Sequence, residues 1–510
     1  MARPRARPRR DTRADAVALA LAPTGPRFLA IARALVADLE RGRWRPGQRL
    51  PSSRALAASL AVHRNTVLAA LAEVEAQGWL TSQPGRGLFV SLDLPAGPPR
   101  PAGSAPAGTG ELPSATVTLP ALVAGLRPSS PAGPARAATP MLGLSLGMPD
   151  PRLVPIDELA RAWRRVIRRS GRRLLGYGEA AGHPALRAAL ATLIRTLRGV
   201  PAGPEHVLVT RGSQMALDLC ARALLRPGAT VAVEAFGYAP AWNALRLAGA
   251  RLVPIAVDGD GLDVAALARL VARRRVDAVY VTPHHQYPTT VTMSPARRLA
   301  LLALARRHGL TILEDDYDHE FHYASRPVPP LAASDAPGPV VYIGTLSKVL
   351  APGLRLGFVL AAPPVIERLT VWRAAMDRQG DLAMEAAVAE LMSEGELTRH
   401  MRKMRLRYQS RRDALVGALR RHLGDVLTIA APAGGISLWA PVTAPVDVAR
   451  WLTACAASGV DLAPGARYTF DGHDPRALRL VFAPWTEGEL ARAVATMAAA
   501  LPRPGQRPRS

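Results

Sequence analysis

Lysine is almost absent from this chain of 510 residues. Of its 65 basic residues, only Lys348 and Lys403 are lysines, and the others are arginines. Arginine holds its proton at any ordinary pH, whereas lysine can lose its proton and condense with an aldehyde. Any covalent amine chemistry in this protein therefore depends on one of two side chains.

Cysteine and long apolar runs are also scarce. Cys220 and Cys455 lie far apart in apolar helical stretches, which favours buried free thiols in a reducing compartment. No apolar run reaches the roughly 18 residues of a membrane span. The opening MARPRARPRR and AVALALA imitate a signal peptide, but the apolar run is short and leads into a helix. We therefore expect a cytoplasmic protein without a membrane partner, and a disordered basic arm with a short strand over residues 1–25.

Acidic residues are outnumbered, with 40 against 65 basic ones and a formal net charge of +25. The excess is concentrated in residues 1–90, which hold 15 arginines and 6 acidic residues. Such a balance indicates a polyanion partner, although a codon bias toward arginine gives the same excess. The length predicts two or three domains.

Residues 26–92 have the pattern of a DNA-binding domain. Apolar residues recur with helical spacing over 29–39, and two short helices follow, SSRALAASLA and a second from about His63 to Gln77. Two such helices with a tight turn are typical of a helix-turn-helix, and LTSQPGRGLFV predicts a two-stranded wing. The second helix begins with four side chains suited to phosphates and base edges, His63, Arg64, Asn65 and Thr66.

This segment resembles the GntR-type winged helix from Arg27 to Val90, with GRWRPGQRLPSSRALA as the matched hallmark. The resemblance implies that Arg54 binds double-stranded operator DNA and that Arg64 and Thr66 make the next contacts. It also places the wing tip, which carries Arg86, along the minor groove. The alternative is a generic helical domain whose polar residues are only solvated.

Residues 93–140 are rich in Pro, Ala, Gly and Ser, a composition typical of a flexible linker. From residue 141 onward, helices alternate with short apolar strands, which predicts a mostly parallel sheet covered on both faces. We expect this α/β domain to extend over 141–505, with a smaller α+β lobe over about 362–505. The predicted strands are VLVTR, TVAVEAF, DAVYVTP, TILEDD, VVYIGT and RLGFVLA, followed in the lobe by ISLWAP and ALRLVFA.

Lys348 lies within GTLSKVLAPGLRLG (344–357), which also contains Thr345, Ser347 and Arg355. Hydroxyls and a guanidinium around a reactive lysine suit a phosphorylated aldehyde, namely pyridoxal phosphate. A lone lysine is more often an ordinary surface residue. The stretch TILEDDYDHEF (311–321) argues against that alternative, because it places Asp315 at the carboxyl end of a buried strand, where α/β sheets bind ligands.

Three further stretches fit the same site. Ser213 and Gln214 open a helix directly after a strand, and a helix N-terminus favours phosphate. Tyr238 follows a strand end and is placed to stack on a ring, unless it is a packed core tyrosine. Arg479 lies inside an apolar strand, where a buried guanidinium needs a carboxylate.

The acid, lysine and arginine spacing resembles the fold-type I aminotransferases, and the whole chain resembles the MocR/GabR subfamily of GntR regulators, which fuse a winged helix to such a domain. The resemblance implies pyridoxal 5′-phosphate as cofactor and a homodimer. It implies that Lys348 forms the internal aldimine, Asp315 pairs with the pyridinium and Tyr317 bonds the phenolic oxygen. The other implied roles are stacking for Tyr238, phosphate binding for Ser213, Gln214, Ser347 and Arg355, and effector carboxylate binding for Arg479.

Two departures affect the functional hypothesis. Tyr287-Pro288 replaces the usual Asn-Pro pair of aminotransferases, and Ala239, Pro240 and Ala241 follow Tyr238 where the γ-aminobutyrate sensor has an arginine. We therefore expect a transcription regulator that senses an amino compound, not assumed to be γ-aminobutyrate, or the cofactor itself. A working aminotransferase carrying a DNA-binding domain is the alternative. A third possibility, a large domain that has lost the cofactor and serves only for dimerisation, is disfavoured by the presence of Lys348, Asp315 and Arg355. No metal site is expected.

Overall fold

The computed structural model describes residues 26–94, 126, 142–323, 328–335 and 338–502. The chain divides into two compact units, one up to Leu119 and one from Pro120 onward. The arm predicted over 1–25 and nearly all of the linker predicted over 93–140 lie outside the described residues, so both stay predictions. Among the described residues no single helix is long and apolar enough to cross a membrane. One bent pair of helices reaches the required length and apolar composition only when its two helices are counted together.

The first unit has the predicted winged helix-turn-helix. Its elements are α1 (Arg27–Glu40), α2 (Ser53–Ser59), α3 (Arg64–Ala76), β1 (Leu80–Gln83) and β2 (Gly87–Val90). The strands pair antiparallel, with Leu80 opposite Val90. The apolar faces of the three helices form one core that includes Ile31, Leu35 and Val67.

Local sequence explains where these helices begin. The Ser52 hydroxyl accepts a 3.2 Å hydrogen bond from the Ala55 amide and caps α2. The His63 ring caps α3 by accepting from the Asn65 amide through Nδ1 (3.3 Å). Ser52 is therefore the residue that caps α2.

The second unit is built from alternating helices and strands. Its helices are α4 (Ile156–Leu174), α5 (Pro184–Arg198), α6 (Gly212–Leu224), α7 (Ala239–Leu247), α8 (Val264–Arg273), α9 (Pro295–His308), α10 (Pro363–Asp377), α11 (Leu382–Ser393), α12 (Glu396–Leu423), α13 (Val448–Ala457) and α14 (Glu487–Ala499). Its strands are β3 (Leu142–Gly143), β4 (Val207–Thr210), β5 (Thr230–Glu234), β6 (Arg251–Ile255), β7 (Val257–Asp258), β8 (Gly261–Leu262), β9 (Ala278–Val281), β10 (Thr311–Asp316), β11 (Val340–Thr345), β12 (Gly357–Leu360), β13 (Ser437–Pro441), β14 (Val460–Asp461), β15 (Ala463–Pro464) and β16 (Ala477–Val481).

Seven strands form the large sheet, in the order β4-β12-β11-β10-β9-β5-β6. Only β12 runs antiparallel to its neighbours, and the remaining pairs are parallel. Alternate side chains enter two different cores: Leu208 and Val231 pack on one face, and Val209 and Ala232 on the other. The prediction of a mostly parallel sheet covered on both faces is confirmed.

A smaller sheet has the order β13-β16-β15 and contains the two strands predicted for the lobe. A separate parallel pair joins β14 to β3, with Val460 opposite Leu142. The lobe predicted over 362–505 therefore gains a strand from the start of the domain. A two-residue strand has no detectable periodicity, which is why the sequence did not indicate it.

Candidate functional site

A cavity of about 300 Å³ lies at the carboxyl edge of the large sheet, where ligands of open α/β folds bind. The structure brings together in its wall every residue that the sequence assigned to the cofactor or to the effector. They are Ser213, Gln214, Tyr238, Asp315, Tyr317, Thr345, Ser347, Lys348, Arg355 and Arg479. They include strand residues of both sheets together with residues of helices and connections, and they span more than 260 positions of the sequence.

Lys348 lies in the connection between β11 and β12, and its Nζ donates a 2.6 Å hydrogen bond to the carbonyl of Gly147. The pKa of Lys348 is lowered to about 8, first by burial and then by the positive charge of Arg479. A lysine with this pKa is partly neutral near physiological pH, which is the form that attacks an aldehyde.

Asp315 lies near the carboxyl end of β10 and is buried. Its Oδ2 accepts a 2.8 Å hydrogen bond from the Tyr280 hydroxyl, whereas its Oδ1 has no partner among the described residues. Burial raises the pKa of Asp315 to about 7. An unpaired buried carboxylate oxygen is costly, so this atom is suited to a donor on a ligand.

The part of the cavity lined by Ser213, Gln214 and Arg355 is rich in hydrogen-bond donors. Ser213 and Gln214 lie in the first turn of α6, whose unpaired amides favour an anion. The Arg355 guanidinium donates to the carbonyl of Arg211 (2.8 Å). A Cβ on Gly212 would lie 3.0 Å from Arg355 Nη2, and the φ of Gly212 is +76°, so this glycine allows the arginine to approach the helix.

Thr345 and Ser347 form a local network under the lysine loop. The Thr345 hydroxyl donates to Ser347 Oγ (3.0 Å) and accepts from the Ser347 amide (3.1 Å). Leu346 closes the loop by donating its amide to the carbonyl of Leu356 (3.0 Å). The ends of the loop that carries Lys348 and Arg355 are thereby fixed to each other.

Tyrosines form another wall of the cavity. The ring of Tyr287 lies edge-on to Tyr238, Tyr317 and Tyr468, at centroid distances of 5.5, 5.9 and 5.6 Å. The Tyr317 hydroxyl donates to the carbonyl of His285 (3.0 Å). Tyr287 belongs to the pair that departs from the aminotransferase pattern, and the structure places it directly in this wall.

Arg479 projects from β16 and is only 2% exposed. Its guanidinium carbon lies 4.8 Å from the centroid of Tyr287, and no ion pair among the described residues includes it. Burial by itself would lower the pKa of Arg479, but the neighbouring tyrosines together outweigh it and raise that pKa above the usual range, so the guanidinium stays charged. A buried guanidinium without a carboxylate is suited to an anionic ligand.

Several lining residues were not predicted from the sequence. They are Ser145, Leu146, Gly147, Tyr280, Thr282, Ile436, Arg467 and Tyr468. Tyr280 was part of an apolar strand and gave no sign of binding Asp315. A phenol hydroxyl inside a buried strand requires a hydrogen-bond partner. That requirement was the one sign in the sequence that Tyr280 would contact a polar group.

The predicted DNA-binding residues lie on the first unit. Arg54, His63, Arg64, Asn65 and Arg86 are exposed, and Thr66 is half-buried. Arg64 Nε donates to the hydroxyl of Ser53 (3.3 Å), which joins the start of α3 to α2. The wing tip carries Arg86, whose guanidinium carbon lies 5.9 Å from the ring of Phe89.

Comparisons with known proteins cover both units. Residues 28–90 match the gntR family of bacterial regulatory proteins, and residues 139–497 match aminotransferase class I and II. The chain is 35% identical over 441 residues to the probable rhizopine catabolism regulatory protein MocR of Rhizobium meliloti, covering 86% of both chains. It is 33% identical to the HTH-type transcriptional regulator TauR of Rhodobacter capsulatus, over 84% of this chain and 87% of that protein.

Among solved structures, the α-aminoadipate aminotransferase LysN of Thermus thermophilus matches with a TM-score of 0.66 and 30% identity. The match covers 71% of this chain and 92% of that chain. The aminotransferase family implies pyridoxal 5′-phosphate as the cofactor. The chain belongs to the MocR-type regulators, DNA-binding proteins in which a GntR winged helix is joined to an aminotransferase class I and II domain.

Proposed function

We propose that this regulator senses a small primary amine that carries a carboxylate, and that the cavity of the second unit is the sensor. One observation carries the proposal: Lys348 and Arg479 both meet at Gly147. Lys348 Nζ donates to the Gly147 carbonyl, and a Cβ on Gly147 would lie 3.1 Å from Arg479 Nη2. An amine-reactive group and a carboxylate-binding group therefore face one small volume.

The residues of the cavity divide the work of holding the cofactor and the effector. When bound, pyridoxal phosphate supplies an aldehyde that condenses reversibly with primary amines. Asp315 Oδ1 would accept a hydrogen bond from the ring nitrogen, and Tyr238 would cover the ring. Ser213, Gln214, Thr345, Ser347 and Arg355 would hold the phosphate. Lys348 would hold the aldehyde carbon until an effector amine replaces it.

The effector would change the relation between the two sheets. Asp315 lies in the large sheet and Lys348 in the connection between two of its strands, whereas Arg479 lies in the small sheet. A ligand that contacts both sides stabilises the arrangement in which they are close, and it can shift the equilibrium only by its differential affinity. Operator affinity would then follow the occupancy of the cavity.

The decisive experiment is a titration of the cofactor-loaded, full-length protein with pairs of ligands. Each pair consists of an amino acid and the matched amine that lacks the carboxylate, with the visible spectrum and operator binding as readouts. We expect at least one amino acid to change both. In Arg479→Gln, the response to that amino acid should weaken about 10–100-fold, because a charge-assisted hydrogen bond is lost, while the response to the matched amine stays unchanged.

Arg492→Gln is the matched control, since Arg492 is exposed on α14. It should respond as the wild type does. If none of the amines changes the spectrum, this cavity is not the sensor. The same conclusion would follow if the Arg479→Gln variant bound amino acids with wild-type affinity.

An aminotransferase that also binds DNA is the second candidate. The likeness to LysN and the placement of Lys348 beside Asp315 favour it, whereas Tyr287 in the position of the usual amide argues against efficient turnover. Steady turnover of an amino donor with an oxo-acid acceptor, at about 1 per second or more, would support the enzyme. A single slow half-reaction would support the sensor.

We also propose that the second units form a homodimer in the cytoplasm. Large apolar side chains are exposed around α4, with Leu175 79% and Tyr177 83% exposed, and exposed patches of this kind mark interaction surfaces. A two-fold dimer supplies two winged helices and raises operator affinity through effective concentration. Sedimentation at micromolar concentration should give a dimer, and residues 1–92 alone should bind the operator far more weakly than the full chain.

A further inference from the structure

Four histidines gather behind the tyrosine wall of the cavity. His284 and His285 follow β9, and His319 and His322 follow β10, so the two groups lie at the same edge of the sheet. All four are buried. His284 stacks on His319 at a centroid distance of 4.4 Å and lies 4.3 Å from His285. The sequence stretches TPHHQ and DHEFH thus converge, although no role in cofactor binding was assigned to their histidines.

Some of the imidazole nitrogens in this cluster have no partner. His284 is 2% exposed and His285 is 1% exposed. Neither ring nitrogen of His284 has a hydrogen-bond partner among the described residues, and His285 Nε2 has none there either. Leaving such atoms unsatisfied in the interior costs free energy, so each buried nitrogen is available to a ligand.

Carboxylates orient two of the rings from behind. His285 Nδ1 lies 2.7 Å from Asp318 Oδ1, and His319 Nδ1 lies 2.8 Å from Asp316 Oδ2. A carboxylate on one ring nitrogen, with the other nitrogen left open, is the arrangement found behind metal-binding histidines. Gly434 packs closely against the His285 ring, and a Cβ at that position would collide with Nε2.

We propose that His284, His285 and His322 bind one divalent transition-metal ion, with Zn²⁺ as the reference ion. Their ligand atoms lie within 4.8 Å of one another, so some point is within about 2.8 Å of all three. Zinc to imidazole nitrogen distances are about 2.0–2.1 Å, and shifts of less than about 1 Å close the site. Neutral imidazoles suit zinc, copper and nickel.

The surrounding charge also suits a cation. Asp316 and Asp318 are buried beside the cluster, and the side chains of these two acids contact His319 and His285. Arg298 is the buried cation facing His284 from α9, and it donates to the carbonyls of Met293, Pro329 and Pro283. Tyr317, in the wall of the effector cavity, donates to the backbone carbonyl of His285, so one of the proposed ligand residues is hydrogen-bonded to that wall.

The experiment uses the full-length, cofactor-loaded protein without a polyhistidine tag. After chelator treatment and buffer exchange, it is titrated with Zn²⁺ and with Co²⁺, and bound metal is measured by elemental analysis after gel filtration. We expect one ion per chain and a visible Co²⁺ absorption distinct from the cofactor band. His284→Gln and His322→Gln should each remove the bound ion, and Asp318→Asn should weaken binding about 10–100-fold.

His308→Gln is the matched control, because His308 is exposed at the end of α9, and it should keep one ion. Thermal unfolding and the cofactor band identify variants that fail to fold. The wild-type titration requires no variant and shows whether the protein holds an ion, and the histidine variants show where that ion is bound. A wild-type protein that retains no ion after titration would leave the four histidines as a buried hydrogen-bonded network and overturn the proposal, as would equal binding by His284→Gln and His308→Gln.

Discussion

The Tyr280 hydroxyl donates a 2.8 Å hydrogen bond to Oδ2 of Asp315, across the pairing of β9 with β10. The bond lowers the pKa of Asp315 and so opposes the effect of burial, which raises that pKa to about 7. It also fixes which oxygen remains open, since Oδ1 has no partner among the described residues. Tyr280 is therefore a positioning residue for the carboxylate.

Tyr280→Phe should weaken binding of pyridoxal phosphate by roughly tenfold or more, because a hydrogen bond to a charged group contributes about 1.5–3 kcal/mol. The dissociation constant is measured by titrating the cofactor-free protein and following the visible band. Tyr177→Phe, at an exposed position, is the control and should bind like the wild type. Equal constants for the two variants would contradict the role of Tyr280.

Having two lysines makes covalent attachment easy to assign. Borohydride reduction of the loaded protein should attach the cofactor to Lys348, because that amine lies in the cavity wall. Lys348→Ala should abolish both the visible band and the attachment, as detected by intact mass. Lys403→Ala is the control, since Lys403 is exposed on α12, and it should leave both unchanged. A reduced adduct on Lys403 would refute the assignment.

Cofactor capture should depend on pH through Lys348. Its pKa is lowered to about 8, so the neutral, reactive amine accumulates as the pH rises through 8. The rate of capture by the cofactor-free protein should rise over the same interval. Because the charge of Arg479 contributes to lowering this pKa, Arg479→Gln should move the midpoint to higher pH. A midpoint that stays in place or falls would show that the two groups are not coupled.

Arg54→Ala and Arg64→Ala should each reduce operator affinity, by about 1–3 kcal/mol for a lost base contact. A lost phosphate contact should also reduce the slope of log affinity against log salt by about 1. Both quantities are measured by fluorescence anisotropy at several salt concentrations, with the cofactor spectrum expected to stay unchanged.

Arg33→Ala is the comparison for the DNA experiment, because Arg33 is an exposed arginine on α1, outside the two helices of the helix-turn-helix. It removes the same charge without touching the proposed contacts. If the Arg54→Ala, Arg64→Ala double variant kept full operator affinity, the DNA-binding surface would have to lie elsewhere.

The sequence predicted the parts of this protein that depend on short motifs. The strands next to Lys348 and Asp315 are apolar runs that can be recognised from the sequence. Because functional residues of α/β sheets lie at strand ends, the position of each motif residue in the site could be predicted from these strands. The winged helix was predictable for the same reason, since its turn and caps are local. These features need no knowledge of how distant segments pair.

The remainder depends on long-range register. Tyr280 reaches Asp315 only because β9 pairs with β10, and Gly147 accepts from Lys348 across about 200 positions of sequence. The histidine cluster likewise requires two loops to meet. Edge strand β6 was missed because its charged and proline-containing sequence, RLVPI, differs from the buried runs of its neighbours.

The segment 142–148 is held from two sides. Leu144 donates to the carbonyl of Asp461 and accepts from the amide of Val481, and three residues later the Gly147 carbonyl accepts from Lys348. Residue 142 lies two positions after the end of the stretch predicted as the linker to the winged helix. An effector amine that displaced Lys348 from the cofactor would free the lysine to donate to the Gly147 carbonyl, so the hydrogen bonding of the piece of chain next to the predicted linker would follow the state of the cavity.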